Sequence, residues 1–432
     1  MTHSIISGIV SDGQILINMV NINILFRISI VYLIFVGAHA WFTMNQPFAF
    51  SLGINVVIFI ISLLYKKKNN IRLTLRTSDI FAAIAFFIAS LFASQITRLE
   101  SFITFVVRYF PVLLLICDTN SAKGTLTFVS KFLAILFIPS LVLHLIFVVT
   151  SFPPSIPFTV EGNSMYLFYN YGILIKNISF EHEAVRFSSI FLEPGFLGTL
   201  CALLLYANRF QFKGKWWMYS IVLALLLSLS LAGYVTSLLG YIFCRYSQGL
   251  SIKKYVGYFL VGSLAFLISS NYNDGNNILN KYIFSRLEQD KEKGISGNNR
   301  NSELTDYYFE KIIEDGDVFL GLGRDKITKI NGGGADDGDY TNQIRGAGCK
   351  IFILYNGLFA AFFYLLFYYC VARTRCNFKK KYCIGFFLLI FITFMQASYP
   401  DSYSWLVPFV LGIVVLKNEK NENRNIDISC CS

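Results

Sequence analysis

Apolar residues in this chain run in long blocks separated by short polar segments rich in Lys and Arg, not in the alternating patterns of soluble elements. A helix needs about 20 apolar residues to cross a bilayer. The blocks at 22–44, 48–65, 79–96, 101–117, 125–150, 189–207, 216–231, 232–244, 255–270, 348–371, 382–397 and 403–416 are read as about 12 transmembrane helices. The run from Trp216 to Cys244 is ambiguous. Around Ala232-Gly233-Tyr234 it reads as two short spans or as one long span with a re-entrant piece. The stretch before Ile22 is polar and holds Asp12 and Gly13, so no signal peptide is expected and the first span is expected to be retained.

Two polar stretches are much longer than the rest. The chain therefore divides into 1–150 with spans one to five, a first long loop at 151–188, 189–270 with spans six to nine, a second long loop at 271–347, 348–416 with the last three spans, and a tail at 417–432. Loops this long in a compact protein usually carry function or are disordered.

Composition agrees with the blocks. Hydrophobic residues make up 55% of 432 positions and charged ones 15%, against about 25% charged in soluble domains, and the mean hydropathy is +0.54. No soluble fold hides that much apolar surface, so an all-α polytopic membrane protein is expected. Disorder, coiled coil, collagen and secreted disulfide scaffolds are excluded. The net charge of +11 suggests a nucleic-acid partner only until the charges are placed. With the N-terminus inside, the inside segments hold 20 Lys and Arg, and the outside segments before the second long loop hold only Arg98, Lys176 and Arg186. That bias orients the chain with both termini cytoplasmic, accounts for most of the basic excess and leaves no role for nucleic acid.

The second long loop carries 14 of the 26 acidic residues. Within it, Leu304, Tyr307, Tyr308, Ile312 and Ile313 recur at the spacing of a short amphipathic helix lying on the membrane face. Seven of the nine Cys (Cys117, Cys244, Cys370, Cys376, Cys383, Cys430 and Cys431) fall at inside ends or inside segments, Cys201 lies within a span and Cys349 at an outer mouth. No two share an outside loop, so no disulfide is expected.

No P-loop, GxGxxG after a strand, HExxH or GxSxG is present, and His3, His39, His144 and His182 are scattered, so no metal site is expected. The most informative segment runs from Arg186 through Glu193-Pro194-Gly195 to Gly198, at the start of the sixth span. Arg186 and Glu193 are seven residues apart, which on a helix places them on one face. Pro194 suits a first helical turn, and Gly195 and Gly198 allow close backbone approach. A carboxylate at a membrane mouth is costly unless paired or catalytic. The alternative is a structural Arg–Glu pair. The second segment is Gly321-Leu-Gly323-Arg324, followed by Gly332-Gly333-Gly334, Asp336, Asp337, Asp339, Tyr340, Asn342 and Arg345. Gly321 and Gly323 are expected to free backbone N–H groups for an anion, with Arg324 as a planar fork for phosphate. The Gly–Asp run lacks the alternating ligands and terminal Glu of a calcium loop. Arg108, within the fourth span, is a further diphosphate candidate. Arg27, in the first, is read as snorkelling towards the inner face.

This layout resembles the Wzy-type O-antigen polymerases. The resemblance rests on two long outside loops, the Arg186…Ser189-Ile-Phe-Leu-Glu193-Pro194-Gly195…Gly198 segment, Gly321-Leu-Gly323, Asp337-Gly-Asp339-Tyr340 and Asn356-Gly357-Leu. It implies the GT-C class B fold and an inner-membrane glycosyltransferase. Such an enzyme joins undecaprenyl-diphosphate-linked oligosaccharide repeat units on the periplasmic side, with neither nucleotide sugar nor metal nor other cofactor. A flippase and a chain-length regulator of the same pathway are the implied partners. Arg186, Arg324, Arg345 and Arg108 are then candidates to stabilise the diphosphate leaving group. Glu193, Asp337 and Asp339 are candidates to take the proton of the acceptor hydroxyl. Tyr340, Tyr307 and Tyr308, with Tyr166, Tyr169 and Tyr171, are candidates to stack on sugar faces, against a reading as interfacial anchors. The rival readings are an O-antigen ligase, disfavoured because 271–347 holds no His, and a lipid-linked-oligosaccharide flippase or other transporter, disfavoured by the concentration of charge in loops.

Overall fold

The computed structural model describes residues 21–73, 77–94, 99–150, 153–155, 157–160, 163–179, 185–249, 302–331, 343–344, 348–375, 380–397 and 399–415, with short pieces around 289–295 and a few isolated residues between. Among these residues the chain is mostly helical. The helices are α1 Ile22–Gly37, α2 Phe48–Lys68, α3 Thr77–Ser94, α4 Leu99–Cys117, α5 Thr119–Val149, α6 Pro194–Ala207, α7 Trp217–Leu227, α8 Leu231–Ser247, α9 Glu303–Glu314, α10 Arg324–Ile330, α11 Cys349–Arg375, α12 Lys380–Gln396 and α13 Tyr403–Val415. Apart from α9 and α10, each coincides with one of the apolar blocks. The block at 255–270 lies outside the described residues except for Gly257, Leu264 and Ile268.

Among the described residues, three helices are both long and apolar enough to cross a membrane by themselves: Ala49–Lys68, Thr119–Val149 and Cys349–Arg373. Others, among them Ile22–Gly37, Pro194–Ala207 and Tyr403–Val415, are apolar but shorter. Polar side chains cap helix starts. Ser230 Oγ accepts from the Gly233 N–H to start α8, and Asp118 accepts from the Asn120 N–H to start α5. Large side chains such as Phe81, Ile135, Val142 and Phe362 stay more than half exposed along their helices. A stripe of that kind suits lipid rather than water.

The helix that organises the bundle is the last. In α13 every residue from Tyr403 to Val414 is buried, and it packs against α1, α4, α5, α6, α11 and α12. Phe409 meets Phe386 of α12 and Tyr368 of α11 edge to face at 5.0 and 4.9 Å. At one end of the bundle Ser402 Oγ donates to the Gly37 carbonyl at 2.7 Å, tying α13 to the end of α1.

The fold departs from an all-α expectation in the first long loop. There β1 Pro157–Val160, β2 Asn163–Asn170 and β3 Ile175–Asn177 form an antiparallel sheet in the order β1-β2-β3. Phe158, Phe168 and Ile175 pack on Leu192, Trp41 and Met44. Segment 188–192 runs between β3 and the end of α1: the Ile175 N–H donates to Ser189, the Trp41 N–H to Ile190 and the Leu192 N–H to His39. The sheet thus clamps the chain just before α6. A short pair, β4 Gln289–Asp290 and β5 Gly294–Ile295, lies in the second loop.

The second loop also forms α9, and here the sequence pattern needs one correction. Leu304, Tyr308, Phe309 and Ile312 pack with Ile327, Ile344, Ile351 and Leu354, whereas Tyr307 and Ile313 are more than half exposed. The buried face turns towards Phe309 because α9 packs on α11 and on the Asp317–Phe319 turn. The expectation of no disulfide also fails. Cys383 is disulfide-bonded, and because Cys117, Cys201, Cys244, Cys349 and Cys370 are free, its partner lies outside the described residues. Cys383 lies at the start of α12, away from both long loops.

Candidate functional site: two broken helices and the segments that cap them

A helix that stops within the bundle leaves carbonyl groups without partners, and lipid offers none. This happens twice. The apolar run 216–244 is two helices, with the break at Ser228–Ser230 rather than beside Ala232. With 11 residues, α7 rises only about 16 Å. Its end is capped by the segment before α6. The Phe187 N–H donates to the Leu227 carbonyl at 2.9 Å, and the Arg186 Nε donates to the Ser228 carbonyl at 3.2 Å. A cation at a helix C-terminus also meets the negative end of the helix dipole. Leu229 and Ser189, on the two sides of this contact, both take left-handed backbone, at φ 46° and 53°. The Ser189 hydroxyl is buried with no hydrogen-bond partner among the described residues.

The second break is inside α11, at Gly357, where φ is 79° and ψ 168°. The carbonyls it releases are taken by the second loop: the Leu322 N–H donates to Leu354 at 2.8 Å and the Gly323 N–H to Tyr355 at 3.1 Å. A Cβ on Gly321 would lie 2.6 Å from the Gly357 nitrogen. The Gly321-Leu-Gly323 motif therefore serves close backbone packing. Its N–H groups are engaged, since Gly321 donates to Asp317 at 2.8 Å, and are not held open for an anion as the sequence had suggested. The same motif ends by starting α10 at Arg324, whose side chain is exposed and acts electrostatically on Tyr355.

The two arginines thus occupy equivalent places at different breaks, in different surroundings. Arg186 is 7% exposed, whereas Arg324 is exposed. Behind Arg186 lies a fully buried lysine. Lys176 Nζ is 2.6 Å from His144 Nδ1, donates to the Arg186 carbonyl at 2.9 Å and sits 5.1 Å above the Phe147 ring. This Lys176–His144 contact was missed by sequence reasoning, which counted Lys176 as a loop cation and His144 as a stray. Their separation of 32 residues carries no motif.

Glu193 is the N-cap residue of α6, is exposed and makes no side-chain cap bond. Residues 186–193 form turns and a bridge instead of a helix, so the seven-residue spacing does not put Arg186 and Glu193 on one helical face. Gly198 does serve close approach: a Cβ there would lie 2.7 Å from Ser230 Cβ, whereas Gly195 has open space. Tyr307 is exposed, with the Tyr308 ring edge-on at 5.3 Å. Tyr171 donates to the Pro153 carbonyl at 3.1 Å, and burial raises the pKa of its hydroxyl. Arg108 lies on α4, with only its backbone described. Asp337, Asp339, Tyr340 and Arg345 lie outside the described residues. Among the described residues no group of three or more His, Cys, Asp or Glu is placed to hold a metal ion.

Comparison with protein-family models, with curated proteins and with solved structures gave no match for this chain.

Proposed function

We propose that this chain is a membrane-embedded glycosyltransferase that joins lipid-diphosphate-linked oligosaccharide units, an O-antigen polymerase of the inner membrane with both termini cytoplasmic. The observation that carries the reading is Arg324. It is an exposed planar cation, fixed at the start of α10 by a glycine motif locked onto a broken membrane helix. A phosphate group on a lipid can reach such a residue from the side of the bundle. A guanidinium there offsets the charge that develops on a diphosphate leaving group. Arg345 and Arg108 are further candidates for that contact. Arg186 takes a supporting part, holding the α7–α8 break beside the mouth of α6. Glu193, exposed at that mouth, and Asp337 and Asp339 are the candidate bases. Tyr307 offers an open ring to a sugar, and Tyr340 is a second candidate.

The test is the lipopolysaccharide ladder of a bacterial strain lacking this chain. The reading predicts core carrying a single repeat unit. Core with no unit attached points to a ligase. A second reading, a lipid-linked-oligosaccharide flippase or another transporter, draws support from the two broken helices, a device transporters use to bind substrates between half-helices. Loss of transport of the lipid-linked unit in the same strain would favour it.

A further inference from the structure

We propose that a cleft at the basic end of the bundle, opposite the sheet, holds the phosphate of an anionic phospholipid headgroup. The cleft, of about 100 Å³, lies between the end of α6, the end of α8 and the start of α12 and is lined by Arg209, Gln211, Cys244, Ser247, Gln248 and Tyr382. It stands apart from the capped breaks and does not depend on the enzymatic reading.

The backbone around Arg209 is built against ordinary preference. Arg209 and Phe210 are consecutive non-glycine residues in left-handed conformation, at φ 57° and 51°, and strain of this kind collects at functional sites. The turn brings the guanidinium back over the bundle, 5.9 Å from the Tyr382 ring centre. Tyr382 is itself immobilised. Its hydroxyl donates to the Tyr206 carbonyl at 2.7 Å while the Tyr206 hydroxyl donates to the Tyr382 carbonyl at 2.8 Å, with the rings stacked at 4.5 Å. The result is a preorganised, planar cation beside amide side chains, and a guanidinium fork matches phosphate.

The electrostatic balance favours an anion. Segments 208–216, 244–249 and 380–386 contain Arg209, Lys213, Lys215, Arg245, Lys380 and Lys381 and no Asp or Glu. The C-terminal ends of α6 and α8 each contribute about half a negative charge, which the cations outweigh. The depth is that of headgroups. Trp216, Tyr219 and Tyr246 are exposed at this end, and exposed Trp and Tyr mark the membrane–water interface. Lys381 lies 4.4 Å from the Tyr246 ring. Basic pockets between membrane helices at this level bind lipid headgroups.

The experiment is thermal unfolding of the purified full-length protein in detergent with added phosphatidylglycerol, phosphatidylcholine or inorganic phosphate, since a ligand of the folded state raises the midpoint. Phosphatidylglycerol is expected to raise it by a few degrees in the wild type and in the control Lys329→Gln, which removes an exposed charge on α10, away from the cleft, and phosphatidylcholine and inorganic phosphate are not. Arg209→Gln and Gln248→Glu should each abolish the shift. Gln248 is exposed at a helix end, so that variant folds even if Arg209→Gln does not. Equal shifts in wild type and Gln248→Glu, or no shift with phosphatidylglycerol, would overturn the proposal. The full shift with inorganic phosphate alone would overturn the lipid and leave a soluble anion in its place.

Discussion

The Arg186 Nε donates to the Ser228 carbonyl at 3.2 Å, across 42 residues of sequence. The bond ties the first long loop to the interrupted end of α7, where lipid cannot satisfy a carbonyl. Hydrogen bonds to charged groups contribute about 1.5–3 kcal/mol. Arg186→Ala should therefore lower the unfolding midpoint in detergent and the amount of protein in membranes. Arg186→Lys should recover part of both. Unchanged abundance in Arg186→Ala would remove the capping role.

Gly357 and Gly321 meet at the other break. A side chain at Gly357 would collide with the Phe319 carbonyl, and both glycines have φ above 70°. Gly172 has φ 79° in open space, and Gly53 is helical with nothing nearby. Gly357→Ala should be the most damaging of these, costing more than the roughly 1–3 kcal/mol of backbone strain. Gly172→Ala should show the strain alone, and Gly53→Ala should be neutral or stabilising by up to about 1 kcal/mol. Midpoints of the variants rank the effects, and equal midpoints for Gly357→Ala and Gly172→Ala would contradict the packing account.

Lys176 bonds the Arg186 carbonyl and His144 at full burial. Lys176→Met keeps the length of the side chain and strands both acceptors, at about 1–3 kcal/mol each. The unfolding midpoint should fall, and His144→Phe in the same chain should restore part of it. A midpoint raised by Lys176→Met would mean that burying the charge costs more than its bonds return.

The apolar blocks were legible as helices because hydropathy is a long, repeated signal that few polar residues interrupt. The sheet in 151–188 was passed over, although Phe158 to Val160 and Met165 to Tyr169 flank Glu161-Gly162, a turn signal between apolar runs. High overall hydropathy masked that alternation. The site was legible in its residues more than in their roles. Arg186 and Gly321-Leu-Gly323 stand where the loops meet the bundle, as the segments suggested, but their backbone and side-chain donors serve broken helices. That use depends on where α7 and α11 stop. Gly357 hints at the second break, while nothing in Leu227-Ser228-Leu229 marks the first. Lys176 and His144 come together only through the fold.

The orientation proposed from charge has a direct check. Asp325 and Lys213 are exposed at opposite ends of the proposed topology. In a variant with its reactive cysteines replaced, Asp325→Cys should react with a membrane-impermeant maleimide in intact cells. Lys213→Cys should react only after the membrane is opened. The reverse pattern would place the proposed site on the wrong side for lipid-linked glycans exported from the cytoplasm.

The account stands most directly on Arg324 and on the joining of lipid-linked units. The measurement is the chain-length distribution formed when purified protein is given lipid-diphosphate-linked repeat units in detergent. Wild type should yield products of two or more units. Arg324→Ala should slow their formation by about 100-fold or more with an unchanged unfolding midpoint, because the side chain is exposed, and Arg324→Lys should fall between. Wild-type rates of polymer formation in Arg324→Ala, or no joined units with folded wild-type protein, would contradict it.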